Sequence, residues 1–162
     1  MKGNKKGISI LLSASILVAL TLVIGVALLA LIGSVPTIEK PIQFLMNGKV
    51  SNNQIILTHI GGDSVNLGSI VIKTYIPAGI YAGAVYEIPI SDLQSYAKIN
   101  GGAVYESWSW KSWGVGDTLT IPIDRSFARS PFGLMAPKPG EKFVVEVYYR
   151  GQVISSCTIT MN

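Results

Sequence analysis

The residues best suited to chemistry in this 162-residue chain lie close together. They are His59 and Asp63, with Gly61 and Gly62 between them. An imidazole near a carboxylate can begin a proton-transfer pair, and a Gly-Gly turn can aim backbone N–H groups at an oxyanion. A hydrolase would also need an activated nucleophile on a strained turn, and the segment offers no identifiable one. The residues fit a structural turn better. Gly61 and Gly62 permit positive φ, Asp63 is expected to bond its own backbone, and His59 to make a structural hydrogen bond at a strand end. No catalytic residue is expected.

Other candidates thin out in the same way. Asp63, Asp117, Asp124 and Glu141 could gather a calcium ion if their loops converged, but no run has EF-hand spacing. The Gly61-Gly62 pair lacks the following Lys and helix of a phosphate loop. One cysteine, Cys157, and one histidine exclude an intrachain disulfide, multi-cysteine metal or redox sites, and a cupredoxin-type copper centre. No metal and no cofactor is expected. Cys157 alternates with Ser155 and Ile159 and reads as a small buried hydrophobe. Trp108-Ser109-Trp110 puts two indoles on one face of a strand, with Trp113 near its end. Buried, they are core. Exposed, and with Tyr96 and Tyr105 nearby, they form a stacking platform for a sugar ring or a neighbouring subunit. No Asn-X-Ser/Thr sequence occurs, so N-linked glycans are not expected.

The composition says what must position these residues. Hydrophobic residues make up 49% of the chain and charged residues 14%, against about 25% charged in an ordinary soluble domain. The net charge of +4 owes three units to Lys2, Lys5 and Lys6, and from Gly7 onward ten basic residues face nine acidic ones. Nothing in that balance suggests a nucleic-acid surface.

The apolar excess is concentrated at one end. No charged residue lies between Lys6 and Glu39, and sixteen of the 25 residues from Ile8 to Ile32 are Ile, Leu or Val. As a helix this stretch is about 37 Å long, enough to span a hydrocarbon core of roughly 30 Å. Aliphatic side chains on every face require lipid or other protein all round. Gly33-Ser34 and Pro36 are expected to end the helix. The run exceeds the 7–15 apolar residues of a secretory signal. With three lysines before it, the positive-inside rule places the N-terminus in the cytoplasm and the rest of the chain outside.

Residues 35–162 read as short strands and turns. Ile55–Thr58 and Ile70–Tyr75 are β-branched-rich, and Thr118–Ile123 alternates with period two. Gly62-Asp63, Gly116-Asp117 and Gly140-Glu141 each precede a strand-like run, and Asn47-Gly48 and Arg150-Gly151 read as hairpin turns. Loops are expected around Arg129–Gly140 and Asp92–Gly102, with one helical turn at Ser91–Tyr96. The expected class is α+β: a long hydrophobic N-terminal α-helix, then an all-β, immunoglobulin-like antiparallel sandwich of seven to nine strands.

Two segments carry a family resemblance. Lys5-Lys6-Gly7-Ile8-Ser9, a very short basic leader ending in Gly before the apolar run, resembles the class III leader of archaeal type IV pilins and archaellins. Ile56–Ser64 resembles the "LTHxGGD" signature in the head of many archaeal pilins. Leu12 stands where bacterial type IV pilins carry Glu, which points to the archaeal branch. The resemblance implies recognition at Lys5, Lys6 and Gly7 and cleavage before Ile8 by a prepilin peptidase. It divides the chain into a leader (1–7), a hydrophobic helix (8–34) and a head (35–162). It also implies a helical homo-oligomeric filament serving surface adhesion, with helices in the core, built by an assembly ATPase and a membrane platform. Ser9/Ser13, Ser15/Ala19 and Thr21/Gly25 give small-xxx-small spacing for helix–helix approach. A membrane-anchored, non-polymerising β-sandwich module and an archaellin are the alternatives.

Overall fold

A computed structural model of the chain describes residues 5–33 and 40–162, with side chains for 13–30 and 40–162. The chain forms two compact units, Met1–Lys40 and Pro41–Asn162. In the first, α1 (Lys5–Gly33) is a 29-residue helix, free of Pro and uncharged after Lys6. Its stretch Ser13–Ala30 has a mean hydropathy of 2.5, long and apolar enough to cross a membrane. Every large aliphatic from Ile16 to Leu29 is at least half exposed. The Thr21 hydroxyl, polar in this apolar run, donates to the carbonyls of Leu17 (3.0 Å) and Val18 (2.9 Å), so the helix satisfies it internally. The expected stop at Ser34 and Pro36 and the boundary at 34/35 lie outside the described residues.

The second unit is all-β apart from one short α-helix and two 3-10 turns. Its first half contains β1 (Phe44–Ser51), β2 (Gln54–Gly62), β3 (Val65–Asn66), β4 (Ile70–Tyr75), β5 (Val85–Glu87) and α2 (Ile90–Tyr96). There follow β6 (Lys98–Ile99), β7 (Gly102–Ala103), β8 (Tyr105–Glu106), β9 (Ser109–Trp110), β10 (Ser112–Trp113) and β11 (Thr118–Pro122). The chain ends with β12 (Arg129–Ser130), β13 (Gly133–Leu134), β14 (Lys142–Tyr149) and β15 (Gln152–Thr160). One antiparallel sheet runs β1-β2-β11-β6-β7 and a second β15-β14-β4-β5, nine strands in the two sheets. Three two-stranded ribbons, β3/β10, β8/β9 and β12/β13, decorate them.

Period-two patterning builds the core. Ile55, Leu57 and His59 point inward from β2, Leu119 and Ile121 from β11, Ile70 and Ile72 from β4, and Phe143, Val145 and Val147 from β14. All of them but the polar His59 belong to one hydrophobic cluster shared by both sheets. The expected α+β class, an apolar helix followed by an antiparallel β head, is what the chain adopts.

Local turn chemistry was a mixed guide. Arg150-Gly151 turns between β14 and β15 with both residues at positive φ, as a type I′ hairpin requires. Asn47-Gly48 does not turn: both residues lie inside β1, and the β1–β2 hairpin closes at Asn52-Asn53, at φ 52° and 59°. Gly48 is needed for a different reason. Edge strand β1 packs against β15, and a Cβ there would stand 2.8 Å from Cys157 Sγ and collide with Ile159. Gly62-Asp63 leads only to the two-residue β3 before a 3-10 turn at Leu67–Ser69.

Candidate functional site

The His59 segment is built by the end of β2. Pairing passes from Met46↔His59 to Leu45↔Gly61, so Ile60 is an extra residue in a β-bulge and points outward. The His59 backbone is held by β11's approach loop: its N–H donates to the Asp117 carbonyl (3.0 Å) and its carbonyl accepts from Gly116 (2.8 Å). The ring has 0% exposure. It stacks on Phe44 at 4.1 Å and 24°, and meets Trp113 edge-on at 6.3 Å. Nε2 lies 2.9 Å from the Gly61 carbonyl, which can only accept, so Nε2 carries the proton. Nδ1 is buried with no hydrogen-bond partner among the described residues.

Asp63 does not pair with that ring, nor does it cap its own turn as expected. Its carboxylate accepts from the Gln43 amide at 3.0 Å, and the Asp63 amide donates back to the Gln43 carbonyl. Gly62 sits at φ +104°, where a Cβ would run into the Gln43 carbonyl, whereas a Cβ on Gly61 would meet only Leu45 Cδ1 at 3.6 Å. The segment thus clamps the strand end and the incoming chain. Its imidazole is sealed from any solvent-borne substrate.

A second knot beside it was not singled out from the sequence. Asp117 Oδ1 accepts from Asn100 Nδ2 and Oδ2 from the Gly114 amide, both at 2.7 Å. Asn100 Oδ1 in turn accepts from Thr118 N–H at 2.9 Å. The hydrogen bond from Asn100, then that from Gly114, holds the Asp117 carboxyl below the ordinary aspartate range. Trp113 Nε1 donates to the Asp117 carbonyl at 3.2 Å, which ties the knot to the His59 cage. The turn dipeptides Asn100-Gly101 and Gly116-Asp117 were the available signal; that they meet is a tertiary fact.

The acidic residues considered for calcium are engaged separately. Asp124 is 3.6 Å from both Arg125 and Arg129, and Glu141 accepts from the Lys138 amide at 2.8 Å. Among the described residues no group of three or more His, Cys, Asp or Glu could hold a metal ion.

The tryptophans part company, which corrects the same-face expectation. Ser107 and Trp108 form the β8–β9 turn, both at positive φ, so Trp108 and Trp110 do not share a strand. Trp113 is fully buried, Trp110 is half-buried edge-on to Tyr105 at 5.1 Å, and Trp108 is 93% exposed. Cys157 is partly buried over Gly48, and desolvation raises its thiol pKa to about 11.

In α1, Lys5, Lys6, Gly7 and Ile8 occupy the first turns, and the side chains of these residues and of Ser9 lie outside the described set. Ser13, Ser15, Ala19, Thr21 and Gly25 lie along the helix, and nothing stands within 4 Å of a Cβ placed on Gly25. Comparison of the chain with protein-family models and with curated proteins gives no match.

Proposed function

We propose that this chain is a structural subunit of an extracellular filament of the archaeal type IV pilus kind, assembled through its N-terminal helices and serving surface adhesion. The observation that carries the reading is α1: a 29-residue helix, aliphatic on every face and exposed along its described length, joined to a head that has its own complete core. A bundle of such helices covers every face at once. The basic-Gly-apolar junction at Lys5–Ile8 and the His59–Asp63 turn support the same family. In this reading a prepilin peptidase removes residues 1–7 on the cytoplasmic side, the head lies outside the membrane, and an ATPase and membrane platform drive assembly.

Two physical conditions bear on it. A helix leaving lipid for a protein bundle gains little hydrophobic energy, so close packing at small residues and an external energy source must drive the step. Once outside the cell the reference state is water, and each buried large aliphatic is worth about 1.5–3 kcal/mol. Such a filament dissociates very slowly.

The same helix also fits a lone membrane anchor, a reading favoured by Thr21, whose hydroxyl needs no partner beyond its own helix. Electron microscopy of material sheared from expressing cells separates the two. Filaments containing the chain are expected, and Gly25→Leu should reduce their yield while the head stays folded. Protein found only in the membrane fraction, as single anchored chains, contradicts the filament reading.

A further inference from the structure

We infer that the tip of the β8–β9 hairpin is a binding site for a neutral carbohydrate, with the Trp108 indole as its stacking platform. Trp108 is 93% exposed and adopts φ +63°, a backbone region that bulky side chains avoid. Both features work against stability, yet the hairpin that displays the ring is firmly braced. Trp110 packs edge-on to Tyr105 and lies over Gly68 so closely that a Cβ there would sit 2.5 Å from its ring. Glu106 and Lys111 pair across the hairpin at 2.9 Å. The bracing anchors the backbone that carries Trp108, and the indole itself stands in water, open to a ligand on its faces.

Its surroundings select the ligand. Ser107 and Ser109 adjoin Trp108 in the chain and are exposed, and the Glu106 carboxylate and Lys111 ammonium offer an acceptor and a donor on the same hairpin. A pyranose needs this combination: C–H groups stacked on an aromatic face, with hydroxyls hydrogen-bonded at its edge. A lipid surface calls for several apolar side chains backed by unpaired cations, and a protein partner for a cluster of apolar anchors. From Gly102 to Trp113, Trp108 is the sole exposed large hydrophobe, and the neighbouring charges neutralise each other. The site is complete within one head, so it stands apart from the filament reading and can fail without it.

The test uses the full chain in a zwitterionic detergent without sugar groups, with mannohexaose and chitohexaose as probes. Saturable protection of one of the three tryptophans from iodide quenching is expected with at least one probe. Trp108→Ala should weaken binding about tenfold or more, Trp108→Phe should retain part of it, and Phe132→Ala, which removes another exposed hairpin-tip ring, should change nothing. Unchanged melting of Trp108→Ala shows that the head remains folded. Three outcomes overturn the inference: no protection by either probe, protection that survives Trp108→Ala, or protection given instead by phosphatidylcholine–phosphatidylglycerol vesicles or by raising the protein concentration.

Discussion

Asp63 and Gln43 hold each other by two hydrogen bonds in opposite directions: the Gln43 amide to the Asp63 carboxylate at 3.0 Å, and the Asp63 amide to the Gln43 carbonyl. The pair closes the end of β2 onto the chain just before β1. Asp63→Ala should remove a charge-assisted bond and cost about 1.5–3 kcal/mol, and Asp63→Asn should cost less. Urea unfolding of a head fragment, residues 41–162, measures both, and equal stability of all three proteins would contradict the clamp.

The neighbouring glycines make a sharper comparison. Gly62→Ala places a Cβ at φ +104° against the Gln43 carbonyl, while Gly61→Ala meets only an ordinary contact with Leu45. The first should cost at least about 1–3 kcal/mol and the second well under 1 kcal/mol. Reversal of that order in thermal melts would show that the turn is wrongly described.

His59 separates a packing role from a chemical one. His59→Ala opens a hole between Phe44 and Trp113 and should cost about 2–4 kcal/mol. His59→Phe keeps an aromatic ring in the cage and removes the unpartnered Nδ1, but it adds volume to a closed site and loses the bond to Gly61, so it should cost about 1–2 kcal/mol, less than Ala. If Phe is as damaging as Ala in melting experiments, the imidazole nitrogens matter in a way that packing does not supply.

Acid should loosen the Asn100–Asp117 knot. The Asp117 carboxyl is held below its ordinary range chiefly by the Asn100 side chain and then by the Gly114 amide. Its contribution is therefore complete above the unfolded value of about 3.9 and is lost as pH falls through the lower folded value. Melting temperature should hold down to about pH 5 and drop below about pH 4. Asp117→Asn should be less stable at pH 7 and lose less on acidification. An Asn variant with an unchanged acid slope would remove Asp117 from the account.

Much of the fold was legible because its causes are local. The uncharged aliphatic run could only be a long apolar helix, β-branched composition marked β2 and β4, a Gly-acid turn before a strand-like run marked β14, and period-two alternation marked β11. Asn47-Gly48 misled because a dipeptide suited to a tight turn serves equally where β15 presses on β1, and that contact with Cys157 and Ile159 comes from more than a hundred residues away in sequence. Trp108-Ser109-Trp110 misled because alternation implies a strand, while the chain turns at Ser107-Trp108 in the left-handed region. The glycines of the His59 turn were visible as turn formers. That Gly62 rather than Gly61 needs its conformation, and that Asp63 answers Gln43, depends on which backbone lies opposite.

The helix should show its role through Gly25. Leu at this position meets nothing in the isolated helix and replaces a poor helix former, so the subunit itself should fold at least as well. Any loss of filaments from Gly25→Leu is then intermolecular. Normal filament yield, counted by electron microscopy, would place Thr21 and Gly25 away from the close helix contacts.

The most direct test is the intact mass of the protein isolated from the membrane and surface fractions of its native host. The account predicts a mature chain beginning at Ile8, lighter by Met1–Gly7, in the surface fraction. A surface protein that retains Lys5 and Lys6 would contradict processing at Gly7 and, with it, the filament-subunit reading.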